Sequence, residues 1–533
     1  MTSHKTKIDA IFSEWDKPDS PGCALAIVRA GETIYERGYG IANLEYDIPI
    51  TPETRFHVAS VSKQFTAMAV TLLVQEGKLS LDSDIHEYLP KIPDFGIQIT
   101  PRHLLHHTSG LRDQWSLLTI AGWRMQDVIT TEDIIELVQA QKALNFKPGA
   151  EYLYSNTGYT LLALIVERLS GQTFPEFCRT QIFTPLGMEN THFHHNHTMI
   201  VKNMAYSYAP NEKNGFHKVV LSYSTVGATS LFTTVQDLGK WDENFYTHKV
   251  GGPKVFTMLH TRGVLNTGQP IRYALGLFIS HYRGLKTVEH GGSDAGYRAH
   301  LIRFPDQRFT IIILGNLSTL GPSQLTTKIA DIYLENEFLE TEEQEEPIKL
   351  PIEALVEKAN IYYNENLSTT IRIEMIEDKL YWVRTSGNIE LQPLSPERFK
   401  LADPDPSTII EFSKPTPNSR TQMNWFVQTQ KPIVYRAVDP YDPTDHDKEN
   451  YSGRYFCPEL DVTYTILNEE GKLFLKRRKH EKTLMIPTFK DAYTREDSDI
   501  LFTRDNENAI SGFTLTTERV RNLRFIKHEL RAS

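Results

Sequence analysis

A serine and a lysine three residues apart, Ser60 and Lys63, stand at the predicted start of a helix. Residues at this spacing share one helical face, with Cβ atoms about 5–6 Å apart, so the lysine amine can reach the serine hydroxyl. An amine surrounded by protein can act as a base, and a helix N-terminus favours negative charge. The pair therefore predicts an activated nucleophile. The alternative is a serine that only caps the helix.

Two more residues with chemically useful side chains, Tyr154 and Asn156, come just before a second predicted helix. The phenol could relay a proton between Ser60 and a leaving group. The asparagine offers both a donor and an acceptor, which suits it to fix Lys63 and a substrate amide together. A core tyrosine whose hydroxyl simply finds a hydrogen-bond partner is the alternative.

A third motif, His290-Gly291-Gly292, is predicted at the end of a strand and the start of a turn. Its glycines would let a substrate approach the strand edge closely, although a glycine turn without chemistry is the alternative. The backbone N–H of Ser293 could join that of Ser60 in an oxyanion hole. Together the three motifs supply a nucleophile, proton carriers and oxyanion donors, which acyl transfer through a covalent serine intermediate requires.

The elements that must position these motifs are predicted at both ends of residues 1–340. Apolar runs predict strands early and late in this region, with a mostly helical insertion between them. One helix is predicted from residue 61 to residue 75 and is closed by Gly77. The predicted strands are residues 23–28, 33–39, 273–279, 287–290, 300–304 and 309–314. We therefore expect the early and late strands to form one sheet that helices cover.

With these motifs in this order, residues 1–340 resemble the serine β-lactamase and penicillin-binding-protein superfamily, in its class C-like branch, peptidase family S12. Tyr154-Ser155-Asn156 has the Y-x-N form, and His290 replaces the usual lysine of the third motif. Residues 104–111 and 185–188 also resemble signatures of the esterase and peptidase branch. The resemblance implies a β-lactamase-like transpeptidase fold, an α/β (α+β) arrangement in which helices flank an antiparallel sheet, plus a helical subdomain.

The composition changes near the end of this region, where seven glutamates fall within residues 335–346 and predict a solvated connection. The chain beyond it is predicted to be β-rich, and residues 370–399 and 462–489 repeat one order of strands and turns. A duplicated meander of this kind suggests two small antiparallel barrels. The expected domains are a catalytic domain at 1–340, a β-barrel at 341–440 and a second β-barrel at 445–533.

This order of domains is similar to that of the D-aminopeptidases, serine peptidases of the same superfamily. They carry a catalytic domain followed by two lipocalin-like β-barrels, and they share the H-x-G variant of the third motif. In those enzymes a loop from the last barrel helps to recognise the free amine of the substrate. The resemblance implies such a role for an acidic residue here, with Asp491, Glu496 and Asp497 as candidates.

The resemblance implies a serine hydrolase that forms an acyl-enzyme on small amide or ester substrates, most closely a D-aminopeptidase-like peptidase. The residues implied for the site are the nucleophile Ser60, the proton carriers Lys63 and Tyr154, and the substrate or oxyanion ligands Asn156, His290, Gly292 and Ser293. A histidine is mostly neutral at pH 7 and would bind a carboxylate less strongly than lysine does, which predicts poor β-lactam hydrolysis. Four alternatives are left open: a carboxylesterase, a weak class C-like β-lactamase, a penicillin-receptor-like sensor without turnover, and a ligand-binding protein.

The composition of the chain argues against several other classes of function. The net charge of -10 argues against nucleic acid or an anionic membrane as the main partner, and the basic run 476–480 is predicted to lie in a solvated turn. Three scattered cysteines predict neither a disulfide framework nor a thiolate metal site, and no metal or other cofactor is expected. Without a predicted signal peptide or a run able to span a bilayer, a cytoplasmic protein is expected. A homodimer is left open.

Overall fold

The computed structural model describes residues 4–339, 345–384, 387–402, 408–413, 420–427 and 432–528. The chain divides into two compact units. The first combines Met1–Gln114 with Arg124–Glu342, and the second combines Trp115–Trp123 with Glu343–Ser533. Part of the glutamate-rich connection, residues 340–344, lies outside the described residues.

Most helices of the chain lie between the early and late strands of the first unit. In chain order, the helices before residue 340 are α1 (His4–Ile11), α2 (Ser62–Gln75), α3 (Pro101–Leu105), α4 (Gln114–Ile120), α5 (Thr131–Gln139), α6 (Asn156–Ser170), α7 (Phe174–Cys178), α8 (Thr184–Leu186), α9 (Val235–Thr247), α10 (Gly252–Leu259) and α11 (Pro322–Tyr333). Among the helices described anywhere in the chain, none combines the length and the apolar character needed to cross a membrane.

The strands over the same span are β1 (Cys23–Arg29), β2 (Glu32–Tyr39), β3 (Ile41–Asn43), β4 (Ile48–Pro49), β5 (Phe56–His57), β6 (Ile129–Thr130), β7 (His192–Phe193), β8 (Tyr208–Pro210), β9 (Phe216–Lys218), β10 (Tyr223–Ser224), β11 (Leu231–Thr233), β12 (Phe278–Tyr282), β13 (Leu285–Asp294), β14 (Tyr297–Phe304) and β15 (Phe309–Gly315). Six of them form one sheet in the order β12-β13-β14-β15-β1-β2. All neighbours pair antiparallel, with Ala26 opposite Ile312 and His290 opposite Leu301. The early strands therefore lie beside the late ones, and the expected single sheet is confirmed.

An apolar core packs the terminal helices of this unit against the sheet. Ile8 of α1 and Ile329 of α11 are fully buried together with Leu25, Ile27 and Ile311. Burying an aliphatic side chain of this size contributes about 1.5–3 kcal/mol. This packing stabilises the sheet whose strand β13 carries the third motif.

Polar contacts tie α2 and α9 to the same sheet. The buried Arg303 of β14 donates through Nε to Asp242 of α9 at 2.7 Å. It also donates through Nη1 to Gln64 of α2 at 3.3 Å, and the Trp241 indole donates to the same amide oxygen at 3.0 Å. Removing one partner of a buried ion pair is costly, so this network fixes the start of α2 on the sheet.

The predicted strand at 273–279 is only partly formed, because β12 begins at Phe278. Gly276 has a φ of +70°, and a Cβ there would lie 2.5 Å from the carbonyl oxygen of Lys63. Such a conformation and approach suit glycine. The preceding residues therefore turn against the beginning of α2 instead of extending the sheet.

The second unit contains two antiparallel barrels. Its further elements are α12 (Ile352–Val356), β16 (Asn360–Asn364), β17 (Thr369–Ile376), β18 (Lys379–Trp382), β19 (Ile389–Pro393), β20 (Arg398–Leu401), β21 (Thr408–Phe412), β22 (Gln422–Val427), β23 (Ile433–Val438), α13 (Asp445–Tyr451), β24 (Gly453–Cys457), β25 (Val462–Glu469), β26 (Lys472–Lys476), β27 (Thr483–Leu484), β28 (Ile486–Pro487), β29 (Ala492–Arg495), β30 (Ser498–Arg504), β31 (Ile510–Thr517) and β32 (Leu523–His528). Strands β16 to β23 close a barrel, and the other nine strands form a sheet whose two ends, β27 and β28, are consecutive in the chain. The prediction of two all-β antiparallel barrels is confirmed.

A short segment from the first quarter of the chain, Trp115–Trp123, belongs to this second unit. The Tyr464 hydroxyl donates to the carbonyl of Ile120 at 2.6 Å, and Arg477 donates to that of Thr119 at 2.6 Å. A ring nitrogen of His480 lies 3.0 Å from a third carbonyl in the segment. The basic run 476–480 is therefore not simply a solvated turn as predicted, because two of its side chains bind backbone.

Candidate active site

The candidate nucleophile lies in a strained turn just before α2. Ser60 is the central residue of a 3₁₀ turn, Ala59–Val61. Val61 occupies the cap position of α2, and no side chain forms a cap hydrogen bond there. Ala59 has a φ of 46°, a left-handed conformation that costs a residue with a Cβ about 1–2 kcal/mol. The alternative in which Ser60 only caps the helix is therefore wrong.

Lys63 lies in the first turn of α2 and is fully buried. Its Nζ donates to Ser60 Oγ at 3.0 Å, to Asn156 Oδ1 at 2.8 Å and to the carbonyl of Ala228 at 2.7 Å. The three N–H groups of an ammonium are thus matched by three uncharged oxygens. When the amine is neutral, a lone pair replaces one N–H and can accept the proton of the Ser60 hydroxyl.

Asn156 is the first residue of α6, and both ends of its amide are fixed. Its Oδ1 accepts from Lys63, whereas its Nδ2 donates to Asp113 Oδ2 at 2.8 Å. The backbone N–H of Asn156 donates to the same carboxylate oxygen at 2.7 Å. A carboxylate is favoured at a helix N-terminus, so Asp113 orients Asn156 towards Lys63. The sequence analysis missed Asp113, although it lies only two residues after the family-like segment 104–111.

Tyr154 lies two residues before the start of α6, with its ring beside the Lys63 amine. The Lys63 Nζ is 4.9 Å from the centre of the Tyr154 ring and 5.5 Å from that of Tyr159. The ring of His107 lies 4.1 Å from the Tyr154 ring, centre to centre. His107 Nδ1 in turn accepts from the backbone N–H of Ser155 at 3.1 Å. These contacts hold the phenol ring beside the amine, and the role of Tyr154 as a proton carrier stays a prediction.

The third motif lies inside a strand and not at a strand end, because β13 continues to Asp294. The turn that was predicted at the glycines comes after them, at Ala295, which has a φ of 47°. Pairing with β14 keeps Gly291 and Gly292 extended, opposite His300 and Ala299. Ladder hydrogen bonds therefore override the local preference of two glycines for a turn.

His290 is buried, and both of its ring nitrogens are engaged. Nδ1 lies 2.6 Å from the carbonyl oxygen of Gly291, and Nε2 lies 3.0 Å from the Tyr273 hydroxyl. A carbonyl can only accept, so the proton is on Nδ1 and Nε2 accepts from Tyr273. Burial, and then the charge of Lys63, lower the pKa of His290 to about 3. The imidazole is therefore neutral at physiological pH and offers no charge to a carboxylate.

Gly292 brings β13 against the turn that carries the nucleophile. A Cβ built at Gly292 would lie 2.2 Å from the carbonyl oxygen of Val58 and 3.2 Å from the Cβ of Ala59. A residue with a side chain cannot approach so closely without a shift of the backbone. The two predicted oxyanion donors, the N–H groups of Ser60 and Ser293, thus belong to two segments that lie in contact.

The acidic candidates of the second unit have partners there. Asp491 accepts from Tyr451 at 2.7 Å and from Arg504 at 2.6 Å. Although burial opposes the change, these bonds lower the pKa of Asp491. Glu496 forms an ion pair with Arg495 at 2.7 Å. Asp497 is exposed. Asp491 thus has a structural role in its barrel, and amine binding by any of the three stays a prediction.

A metal site was not expected from the sequence. Within the part of the chain that the structure describes, no group of three or more histidine, cysteine and acidic side chains is arranged to hold a metal ion.

Three features define the β-lactamase-like class of proteins. They are a sheet formed by both ends of a domain, a helical insertion, and a buried lysine bonded to the serine three residues before it. A model of the family described as Beta-lactamase matches residues 8–333, more than half of the chain. The chain belongs to this family, and the predicted family and fold class are confirmed.

Its relatives include a D-aminopeptidase from Gluconobacter oxydans (strain 621H), 28% identical over 298 residues, which are 56% of this chain and 56% of that protein. Penicillin-binding protein 4* from Bacillus subtilis (strain 168) is 31% identical over 320 residues, 56% of this chain and 69% of that protein. The chain thus spans little more than half the length of the D-aminopeptidase that it matches.

Solved structures share the fold at lower identity. An octameric penicillin-binding protein homologue from Pyrococcus abyssi superposes with a TM-score of 0.57 at 24% identity, covering 81% of this chain and 99% of that chain. A D-amino acid amidase from Ochrobactrum anthropi SV3 superposes with a TM-score of 0.55 at 22% identity, covering 63% of this chain and all of that one, 100%. At these identities the likeness concerns the fold alone.

Proposed function

We propose that this chain is a serine hydrolase that forms a covalent acyl-enzyme on small amide or ester substrates, most closely a D-aminopeptidase-like peptidase. Its family and its D-aminopeptidase relatives are hydrolases. The observation that carries the proposal is the hydrogen bond from the buried Lys63 Nζ to Ser60 Oγ at 3.0 Å. A serine hydroxyl is a weak nucleophile until a base stands at this distance.

Acylation begins when Ser60 Oγ attacks the carbonyl carbon of the substrate. The hydroxyl proton passes to neutral Lys63, directly or through the Tyr154 phenol, and the carbonyl oxygen becomes negative. The N–H groups of Ser60 and Ser293 would stabilise that oxyanion. When the intermediate collapses, the bond to the leaving group breaks, and the departing amine or alcohol takes up the proton.

Deacylation repeats these steps with water. A water molecule gives a proton to neutral Lys63, directly or through the Tyr154 phenol, while its oxygen attacks the acyl carbon. The same two N–H groups hold the second oxyanion, the bond between carbon and Ser60 Oγ breaks, and the serine recovers its proton. The products are a carboxylic acid and the free enzyme.

The neutral His290 supports substrates that carry no carboxylate beside the bond to be cleaved. In the β-lactamase pattern a lysine at this position supplies a positive charge, whereas burial keeps the pKa of His290 at about 3. Amides of D-amino acids lack such a carboxylate, and a D-aminopeptidase is among the relatives of this chain. We therefore expect turnover of small D-aminoacyl amides to exceed hydrolysis of penicillins.

Replacing the nucleophile tests the proposed function. Ser60→Ala is expected to abolish labelling by a fluorophosphonate probe and to lower kcat for D-aminoacyl p-nitroanilides by at least about a thousandfold. The matched control is Ser13→Ala, because Ser13 is exposed and bonds only to a carbonyl in its own turn. Labelling that persists in Ser60→Ala would place the nucleophile elsewhere.

Intact mass measurement separates an enzyme from a sensor with the same site. We expect the adduct of the wild-type protein with an aminoacyl substrate to decay as product appears. A stable adduct without product would favour the penicillin-receptor-like sensor. A kcat/KM for penicillin above that for the D-aminoacyl amides would contradict the proposed substrate class.

A further inference from the structure

Asp294, the last residue of β13, lies on the strand face that carries the third motif. Alternate residues of a strand point to the same side, so His290, Gly292 and Asp294 line one face. On that face Gly292 meets the Val58 carbonyl, in the chain that leads to Ser60. His290 and Asp294 therefore flank the nucleophile turn from opposite directions along the strand. The side chain of Asp294 is 15% exposed.

The carboxylate of Asp294 is held by residues from the segments that build the site. Thr229 Oγ1 donates to Asp294 Oδ2 at 3.1 Å, and His57 Nε2 lies 3.3 Å from the same oxygen. Thr229 follows Ala228, whose carbonyl accepts from Lys63. His57 ends the short strand β5, just before the nucleophile turn. The position of the carboxylate relative to the nucleophile is thus fixed by short chain connections.

The groups within hydrogen-bond distance of this carboxylate include a hydroxyl and an imidazole. His57 Nδ1 is buried and, among the described residues, has no hydrogen-bond partner, which favours the tautomer with the proton on Nε2. The Tyr223 phenol also faces Asp294, and burial together with this carboxylate raises the pKa of Tyr223. The nearby Arg298 directs Nη1 to the carbonyls of Ala295 and Tyr297. The charges of Arg298 and Asp294 interact, but the carboxylate oxygen Oδ2 is oriented by Thr229 and His57, and the Arg298 Nη1 is directed at backbone carbonyls.

We propose that Asp294 binds the protonated α-amine of an aminoacyl substrate while Ser60 attacks the adjacent carbonyl. This inference rests on the proposed function and names the residue that would make the enzyme prefer a free amine. An ammonium forms charge-assisted hydrogen bonds to an oriented carboxylate, and partial burial lessens the screening of that interaction by water. The preference would thus arise within the first unit, from a residue that is distinct from the acidic candidates of the second barrel.

The test compares two substrates that differ only in the amine, D-alanine p-nitroanilide and propionic acid p-nitroanilide. In Asp294→Asn, the loss of kcat/KM on the aminoacyl substrate is expected to exceed the loss on the propionyl substrate by at least about tenfold, mainly through KM. Thr229→Val removes the hydroxyl that orients the carboxylate and should shift the ratio in the same direction by less. Asp306→Asn, in an exposed turn on the same sheet, is the matched control.

Equal losses on the two substrates in Asp294→Asn, or no loss on either, would overturn the inference, because the carboxylate would then only shape the site or play no part. Near-UV circular dichroism checks that the variants keep the native packing. The outcome is separable from the proposed function. If hydrolysis survives Ser60→Ala, the acyl-enzyme proposal is wrong. If hydrolysis depends on Ser60 but Asp294→Asn leaves the ratio of the two kcat/KM values unchanged, only the amine site is wrong.

Discussion

Lys63 and His290 are two nitrogen bases of the candidate site, and their surroundings differ. Lys63 Nζ lies within hydrogen-bond distance of three oxygens and within 5.5 Å of the ring centres of Tyr154 and Tyr159. Burial and the charge of Lys63 lower the pKa of His290 to about 3. The imidazole is therefore a neutral acceptor for Tyr273, and we infer that Tyr273 is a positioning residue for it.

Tyr273→Phe tests this role by removing the hydroxyl and keeping the ring. A hydrogen bond contributes about 1 kcal/mol, which corresponds to a roughly fivefold fall in kcat. The ¹⁵N resonance of His290 Nε2 should shift because its donor is gone. The ring should stay neutral at pH 6 because burial, the main cause of its low pKa, remains.

Tyr282→Phe is the matched control, since the Tyr282 hydroxyl donates to Asp331 elsewhere on the first unit. It should leave both kcat and the His290 resonance unchanged. If Tyr273→Phe also left both unchanged, Tyr273 would only pack beside the site.

Residue contacts could be predicted from the sequence where local geometry decides them. The bond between Lys63 and Ser60 follows from helical spacing, and the structure contains it at 3.0 Å. The bond from Asn156 to Asp113 joins residues 43 apart, and that from Tyr273 to His290 joins residues 17 apart. No helix or hairpin rule connects residues at these separations, so both contacts required the folded chain.

At the scale of elements, β13 and the nucleophile turn must lie almost in contact for the oxyanion donors to converge. Gly292→Ala would place a Cβ 2.2 Å from the carbonyl oxygen of Val58, so the strand or the turn must move. Catalysis is sensitive to displacements of this size, and we expect kcat to fall by about a hundredfold. Steady-state kinetics and thermal unfolding of the variant measure the two consequences.

Gly291→Ala provides a neighbouring control in the same strand. A Cβ at Gly291 would lie 3.6 Å from the His300 ring and 3.7 Å from the Ala299 carbonyl, which are ordinary contact distances. We expect this variant to lose far less activity than Gly292→Ala. Similar losses in the two variants would mean that flexibility of the strand, and not its close approach to the turn, is what the glycines provide.

Strands could be predicted from the sequence where a run or an alternation of apolar residues marks them. Both strands of the early hairpin and the late pair β14 and β15 follow their apolar runs. The errors fall at glycines. Gly276 ends a predicted strand through its positive φ, whereas Gly291 and Gly292 continue one that they were predicted to end. Whether a glycine breaks a strand depends on its pairing partner, which lies elsewhere in the chain.

At the scale of the whole molecule, duplication made the two barrels predictable, because a repeated order of strands and turns is visible without knowledge of their packing. Leu380 and Leu473, which the repeat places at equivalent positions, are both buried. Assignment of Trp115–Trp123 to the second unit was not predictable. It depends on hydrogen bonds from Tyr464 and Arg477, more than three hundred residues later in the chain.

A buried carboxyl where the two barrels meet links the stability of the second unit to pH. Asp499 of β30 lines a small cavity with Tyr363 and Thr370 of the first barrel. Burial raises the pKa of Asp499 from 3.8 to about 7, and hydrogen bonds from Thr370 oppose that rise. Burial, and to a smaller extent the charge of Asp499, raise the pKa of Tyr363 and of Tyr435, so both phenols remain neutral beside it.

The folded state therefore holds this proton more tightly than the unfolded chain does. The stability contributed by the neutral carboxyl is fully present below about pH 4 and is lost as the pH rises through 7, at about 1.4 kcal/mol per pH unit across that interval. Asp499→Asn cannot ionise and should keep its stability at pH 8. Hydrogen exchange of β30, corrected for the intrinsic rate at pH 5 and pH 8, measures the difference.

Asp442→Asn is the control for this experiment, because Asp442 is exposed in the connection between the barrels. Wild type and Asp442→Asn should lose protection in β30 between pH 5 and pH 8, whereas Asp499→Asn should not. Equal losses in all three proteins would assign the pH dependence to another group. Since ionisation of one carboxyl opposes the packing of both barrels, the loss should also reach β17, where Thr370 lies.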